Sequence, residues 1–150
     1  YKLTEYFTKF TRNQTKIGLA MGVNNLLEIF NEQYYDNLPG GIMEAFGKLF
    51  KKDVKIYLYP YLDKEKDLLL TSKNLKVSDN LHELYKFFLY NGRIEDILNY
   101  NKDYLHSYSR KILEKIAKGE SGWENECPEG VSEMIKERGM FSYRLKYILD

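Results

Sequence analysis

The segment IGLAMGVNNLLEIF, residues 17–30, decides the fold of this chain. Residues 17–23 are a short run of apolar and small residues, which is typical of a strand that is buried on both faces. Asn24 and Asn25 follow at the place of a helix N-cap. The apolar face of the helix that they begin comprises Leu26, Leu27, Ile29 and Phe30. The segment therefore predicts a buried strand followed directly by a helix.

Small residues alternate along this strand, at Gly18, Ala20 and Gly22. Successive side chains of a strand point to opposite faces, so these three residues share one face. That face is nearly flat, and a helix or a ligand can approach its backbone closely.

A second strand is predicted at residues 54–62, VKIYLYPYL. Val54, Ile56 and Leu58 alternate with polar-tipped residues, as in a half-exposed strand, and Pro60 limits it to a sheet edge or a strand end. An amphipathic helix at residues 42–50 precedes it, after a Pro-Gly-Gly turn. The result is a right-handed strand–helix–strand unit whose two strands are parallel or nearly adjacent. Because two strands do not make a stable sheet, either residues 68–71 add a third strand or the rest of the sheet lies upstream.

Helical patterns dominate from residue 78 onward. The first helix begins at Ser78 or Asp79 and ends at Asn91-Gly92, and the second ends at Gly119. The third runs from Pro128 to Arg138 and is closed by Gly139. We therefore predict an α/β (or α+β) fold in one domain, residues 1–150. Residues 1–77 form an α/β part that completes a larger sheet, and residues 78–150 form a mostly helical C-terminal cap.

The chain starts inside a segment with helical spacing, in which Leu3, Tyr6, Phe7 and Phe10 are apolar. We therefore expect it to be the C-terminal fragment of a longer protein. The upstream domain of that protein is then its first expected partner.

Composition excludes several classes of function. The 23 Lys and Arg residues nearly cancel the 22 Asp and Glu residues, so the chain lacks the positive field that nucleic-acid binding needs. A single cysteine, Cys127, fits a reducing compartment, and no segment is apolar enough to span a membrane. We expect a soluble cytoplasmic protein. Its 14 tyrosines suit interfaces and allow a homo-oligomer.

Ligands of open α/β sheets gather beyond the carboxyl ends of the strands. On that basis the candidate ligand-binding residues are Asn24 and Asn25 after the first strand, and Tyr59, Tyr61 and Asp63 at the end of the second. Asparagine also commonly caps helices without binding anything, so a purely structural role stays open.

The sequence assigns no catalytic residue, no metal ligands and no cofactor. His82 and His106 have no partner at metal-ligand spacing, and surface positions on helices account for both. Cys127 precedes a predicted helix N-terminus, where the helix dipole lowers a thiol pKa, but no histidine is near it in sequence. Trp123, the single tryptophan, is expected to pack its loop onto the core and not to stack on a ligand.

Three segments together resemble a known family. They are residues 17–60, the segment LTSKNLKVSDNLHELYKFF at residues 70–88, and the segment SRKILEKIAKGESGWENECPEGVSEMIKERGMF at residues 109–141. These segments look like the C-terminal portion of an uncharacterised family of bacterial cytoplasmic proteins. Some members are labelled nicotinate-nucleotide adenylyltransferase or TonB-dependent receptor. The resemblance implies a longer bacterial protein, and an apolar residue in the family where this chain has Cys127.

Two hypotheses follow from these observations. In the first, the chain is a structural and interaction module that completes a larger sheet and supports oligomerisation. In the second, it lends Asn24, Asn25 and the tyrosines after the second strand to a nucleotide-handling enzyme, such as a nicotinate-nucleotide adenylyltransferase.

Overall fold

A computed structural model describes residue 6, residues 16–51 and residues 53–143 of the chain. It combines helices with a small parallel sheet and an antiparallel strand pair, which confirms the α/β or α+β class. The chain forms two compact units, Tyr1–Asn101 and Lys102–Asp150. The helix predicted at residues 1–10 lies outside the described residues except for Tyr6, which is helical.

The first unit contains a three-stranded parallel sheet in the order β1-β2-β5, formed by β1 (Ile17–Gly22), β2 (Val54–Tyr59) and β5 (Ile94–Asp96). β1 pairs with β2 over its full length, from Ile17 opposite Val54 to Gly22 opposite Tyr59. The predicted strand–helix–strand unit with parallel strands is therefore confirmed. β2 is the central strand and ends just before Pro60, which agrees with an end position for that proline.

The third strand of this sheet is not formed by residues 68–71, which were one of the two sources that the sequence left open. Residues Leu68–Leu70 do form a strand, β4, but it pairs antiparallel with β3 (Tyr61–Asp63) in a separate ribbon. The reason is local: the Asp63 carboxylate accepts hydrogen bonds from the backbone N–H groups of Glu65 and Lys66 and closes a tight turn. The third strand is β5, in a stretch for which the sequence predicted only a helix end.

Among the described residues, three helices cover one face of the sheet: α1 (Val23–Ile29), α2 (Gly41–Leu49) and α3 (His82–Tyr90). Their apolar residues pack against Val54, Ile56 and Leu58, which are 0% exposed. At the centre of this core, Phe30 and Phe46 meet edge to face with ring centroids 4.9 Å apart. The core is therefore a single helix layer on a single sheet layer.

The opposite face of the sheet is open to solvent, which corrects the prediction that β1 is buried on both faces. Gly18, Ala20 and Gly22 are exposed, and the Tyr57 ring beside them is 37% exposed. The prediction of a flat face of small residues is confirmed. A Cβ atom on Gly18 would lie 3.1 Å from the Tyr57 ring, so the missing side chain is what lets that ring lie over β1.

The second unit is helical and contains α4 (Ser109–Lys118) and α5 (Val131–Arg138). Its buried cluster consists of Ile116, Trp123 and Ile135. Gly119 and Gly139 end the two helices in the left-handed conformation, as predicted. The last helix begins at Val131 and not at Pro128, because Gly130 has a φ of +78° and interrupts the helical path between them.

Candidate functional site

The carboxyl ends of three parallel strands meet at one edge of the sheet, where sequence reasoning placed a ligand site. Asn24 and Asn25 lie at this edge, but inside α1 and not at its N-cap. The N-cap residue is Gly22, and no side chain caps the helix there. The predicted asparagine cap is therefore wrong, because the strand passes into the helix without an intervening loop residue.

The other three candidate residues make structural contacts. The Tyr59 hydroxyl donates to the Asn101 carbonyl oxygen at 3.1 Å, and its ring lies edge to face with Tyr100. Tyr61 packs against the core from β3. Partial burial raises the pKa of Asp63, but the Lys66 and Glu65 N–H groups and the Lys66 ammonium outweigh it and hold that pKa below its ordinary value.

A buried polar cluster at this edge escaped sequence reasoning. The Ser72 N–H donates to Asp96 Oδ1 at 2.7 Å, and the Ser72 hydroxyl donates to Oδ2 at 2.9 Å. The Tyr85 hydroxyl donates to the Ser72 carbonyl oxygen at 2.7 Å. Burial, with a contribution from the Asp96 carboxylate, raises the pKa of Tyr85 well above its ordinary value.

This cluster is an anchor between elements. Ser72 is buried, and both of its polar hydrogens already bond to Asp96, so its hydroxyl is not presented to a substrate. The cluster joins the turn after β4 to the end of β5 and to α3. One pattern in the sequence could have indicated this cluster. In the stretch RIEDI, residues 93–97, Ile94 and Asp96 share one face of a short strand.

The two outer strands of the sheet differ in how their edges are protected. β5 has three residues, Ile-Glu-Asp, and its apolar residue Ile94 is buried. β1 has six residues, contains no charge and no proline, and keeps Ile17, Leu19 and Met21 only half-buried. Short length and charged residues are the usual features that keep a sheet edge from pairing with another strand. β5 has both features, and β1 has neither.

Backbone groups point outward from β1. The Ile17 N–H donates to the Asp53 carbonyl oxygen at 2.9 Å, toward β2. Because alternate residues of a strand direct their backbone groups to opposite sides, Gly18 and Ala20 direct theirs to the outer edge. Within the described part of the chain, no strand pairs with that edge.

A groove of about 650 Å³ runs along the outer, lateral edge of β1, the edge that faces away from β2. Its apolar lining includes Leu19, Met21, Ile29 and Leu49, and its polar lining consists of Asn25, Glu28, Tyr34 and Tyr35. The Tyr35 hydroxyl donates to the Ile29 carbonyl oxygen at 2.8 Å, which fixes that ring as a wall of the groove. Of the predicted ligand-binding residues, Asn25 alone lines this groove.

The remaining candidates for chemistry have structural surroundings. His82 is exposed at the start of α3, and His106 lies in a turn before α4. Burial raises the pKa of Cys127, and the Glu126, Glu124 and Glu133 carboxylates raise it further, so this thiol is not activated. Trp123 is 1% exposed and lies under the Lys136 ammonium, 5.6 Å from the ring centroid, in the core of its unit.

In residues 16–51 and 53–143, no group of three or more His, Cys, Asp or Glu side chains could hold a metal ion. No helix in this part of the chain has the length and apolar composition needed to cross a bilayer.

Comparison of the chain with protein-family models, with curated proteins and with solved structures gives no match in any of the three.

Proposed function

We propose that this chain is a structural and interaction module whose β1 edge accepts a further strand and so completes a larger sheet. The observation that carries the proposal is the contrast between the two outer strands. β5 is short and acidic, whereas β1 offers six uncharged residues with outward backbone groups at Gly18 and Ala20. An edge of that kind pairs readily with another strand.

The state of the core supports the same proposal. The core-facing residues of the central strand are fully buried, and so is Ile94 on β5. The core-facing residues of β1 are only half-buried. A strand beside β1 would cover them, and each additional Å² of apolar surface removed from water contributes about 25 cal/mol.

The expected partner is the upstream part of a longer bacterial protein in the cytoplasm, and a second copy of the chain is the alternative source of the strand. Both sources make the same contacts with the β1 edge, since both supply backbone N–H and C=O groups in an extended conformation. Tyr34, which is 62% exposed and lines the groove at this edge, suits an interface with either source.

Amide hydrogen exchange tests the proposal. In the longer protein, or in the chain at high concentration, the Gly18 and Ala20 amides should exchange at least about tenfold more slowly than in the dilute chain. The Ile56 amide, which already donates to the Arg93 carbonyl oxygen, should exchange at one rate throughout. Rapid exchange of Gly18 and Ala20 in the longer protein and at every concentration would refute the proposal.

A matched pair of variants gives a second test. Ala20→Pro removes an outward N–H without removing a bond to β2, whereas Ala20→Val keeps the N–H. We expect Ala20→Pro to abolish the slow exchange at Gly18 while the Ile56 amide stays protected. Ala20→Val should behave as the parent chain does. Equal behaviour of the two variants would contradict strand addition.

A second candidate function, a wall of a nucleotide site in an enzyme such as a nicotinate-nucleotide adenylyltransferase, is favoured by one observation. Gly22 is the register partner of Tyr59, so Asn24 and Tyr59 belong to the same edge of the sheet. Thermal shift of the longer protein with ATP, NAD and nicotinate mononucleotide tests it. Stabilisation is expected if the site exists, and its absence at millimolar ligand would remove the support.

A further inference from the structure

The helix α3 carries aromatic side chains on its solvent side as well as on its core side. Tyr85 and Phe88 are buried in the core, whereas Phe87 is 58% exposed and Tyr90 is 92% exposed. We infer that the outer face of α3 binds the same face of a second copy of the chain, with the two helices antiparallel. The inference concerns a surface other than the β1 edge and does not depend on strand addition.

Four exposed residues of α3 form a continuous surface. They are three or four residues apart, so they lie on one side of the helix: Glu83, Lys86, Phe87 and Tyr90. We call them the α3 stripe. The Glu83 carboxylate and the Lys86 ammonium pair at 2.8 Å, and both side chains are largely exposed. The stripe therefore presents an anion, a cation and two aromatic rings side by side, and exposed aromatic groups of this kind mark interaction surfaces.

The order of these residues makes the α3 stripe complementary to itself. A two-fold axis that crosses α3 midway between Lys86 and Phe87 places residues at equal distances from that point opposite each other. Glu83 then lies opposite Tyr90 of the second copy, whose hydroxyl donates to the carboxylate. Lys86 lies opposite Phe87 of the second copy, so that the ammonium meets an aromatic ring. The symmetry repeats both contacts, and each of the four side chains gains a partner of matching chemistry.

The charges of the stripe favour a second copy over other occupants. A purely apolar partner would remove Glu83 and Lys86 from water without replacing their hydrogen bonds. A second α3 stripe replaces them, because it brings a hydroxyl to the carboxylate and a ring to the ammonium. Two rings of about 150–250 Å² in each copy make a small interface, so the dimer is weak and forms only in concentrated solution.

Sedimentation velocity over a range of concentrations tests the dimer. The Ala20→Pro chain is used, because that change is expected to block association through the β1 edge. Its average mass should rise toward that of two chains as the concentration increases. Tyr90→Ala in this background should raise the dissociation constant at least about tenfold. Tyr34→Ala is the matched control, since it removes an exposed tyrosine outside α3 and should leave the constant unchanged.

Paramagnetic relaxation tests the orientation of the two helices, without the Ala20→Pro change. A nitroxide is attached to a chain with His82→Cys, at the exposed start of α3, and with Cys127→Ser to remove the native thiol. This chain is mixed with an isotopically labelled parent chain. Antiparallel helices should give faster relaxation at the Asn91 and Gly92 amides of the labelled copy than at its His82 and Glu83 amides. The two ends are about 13 Å apart along the helix axis, so the difference is measurable.

Three outcomes would overturn the inference. The first is a monomer at every concentration of the Ala20→Pro chain. The second is a dimer that Tyr90→Ala and Tyr34→Ala weaken equally. The third is faster relaxation at His82 than at Asn91, which would show parallel helices. None of these outcomes bears on the exchange of the outward β1 amides in the longer protein, on which the proposed function depends.

Discussion

The Asp96 carboxylate accepts both polar hydrogens of Ser72 and joins the turn after β4 to the end of β5. An asparagine at this position has nearly the same shape but presents an amide NH₂ to one of the two donors. The two acceptor oxygens of Asp96, and not the size of its side chain, therefore hold this part of the sheet.

Asp96→Asn should lower the free energy of unfolding of the first unit by about 1–3 kcal/mol, because a donor of buried Ser72 is left without an acceptor. Urea denaturation followed by far-ultraviolet circular dichroism measures the loss. The control is Asp36→Asn, at an exposed position, which should leave the midpoint unchanged. Equal midpoints for the two variants would show that the cluster does not hold the turn.

Because Tyr85 is buried, we expect the stability of the first unit to fall at alkaline pH. Burial raises the pKa of its hydroxyl in the folded chain, whereas an unfolded tyrosine ionises near pH 10. Below pH 10 both states are neutral and the stability is complete. As pH rises above about 10, the unfolded state loses a proton that the folded state keeps, so stability should fall by up to about 1.4 kcal/mol per pH unit.

Tyr85→Phe should flatten that alkaline slope, although it also removes the hydrogen bond to the Ser72 carbonyl oxygen and lowers stability at neutral pH. Tyr90→Phe is the matched control, because the Tyr90 ring is 92% exposed, and it should leave the slope as it is. Denaturant midpoints between pH 8 and 11.5 decide between these results. An unchanged slope in Tyr85→Phe would contradict the assignment.

At the scale of elements, two glycines of the first unit have opposite roles. Gly92 follows α3 with a φ of +61°, and a Cβ there would lie 3.3 Å from Glu95 Oε1. Gly47 lies inside α2 with open space where a Cβ would be. A side chain is therefore unfavourable at the first position and favourable at the second.

We expect Gly92→Ala to destabilise the first unit by about 1 kcal/mol and Gly47→Ala to stabilise it by about 0.5–1 kcal/mol. Because both changes add the same methyl group to the same unit, each serves as the control for the other. Thermal melts followed by circular dichroism give the sign of each effect. Two shifts of the same sign would mean that the left-handed turn at Gly92 is not maintained.

The elements also show how far the sequence could lead. Side-chain periodicity predicts β1, β2 and the apolar faces of α2 and α3. The positions of glycines predict the ends of three helices, at Gly92, Gly119 and Gly139. β5 did not follow, because three residues are too few to display a period. The pairing of β4 with β3 did not follow either, since it depends on the Asp63 turn and not on the apolar residues of β4.

The candidate site was less predictable than the fold. Strand-end reasoning placed a ligand site beyond the carboxyl ends of the strands, and of the residues that it named Asn25 alone lines the groove beside β1. Asp96 and Ser72 are 24 residues apart in sequence, and only the pairing of β5 brings them together. The sequence also did not show that no described strand pairs with the outer edge of β1, since a run of small and apolar residues fits a buried strand and an uncovered edge equally well.

At the scale of the whole molecule, the two units differ in the size of their cores. Among the residues that the structure describes, the first has fifteen buried residues in one cluster, from Val23 to Ile94, and the second has three. Burial of apolar surface is the main favourable term in folding, so the second unit has much less to offset its conformational entropy. The single tryptophan of the chain lies in that smaller cluster.

Trp123 fluorescence should therefore report the second unit alone, and its urea midpoint should lie below the midpoint of the first unit. Amide exchange at Ile56, in the central strand, follows the first unit in the same samples. Ile116→Ala, in the smaller core, should lower the fluorescence midpoint and leave Ile56 exchange unchanged. A single transition shared by both probes, and shifted as one by Ile116→Ala, would contradict separate unfolding.

Strand addition at the β1 edge, as proposed, would set up a competition between two sources of the strand. A strand tethered within the same polypeptide meets that edge at an effective concentration of about millimolar, whereas a second chain meets it at its free concentration in the cell. Tethering therefore favours closure within one molecule by a margin that depends on linker length and not on affinity. Shortening or removing such a tether would turn an internal seam of the sheet into a site for chain-to-chain growth.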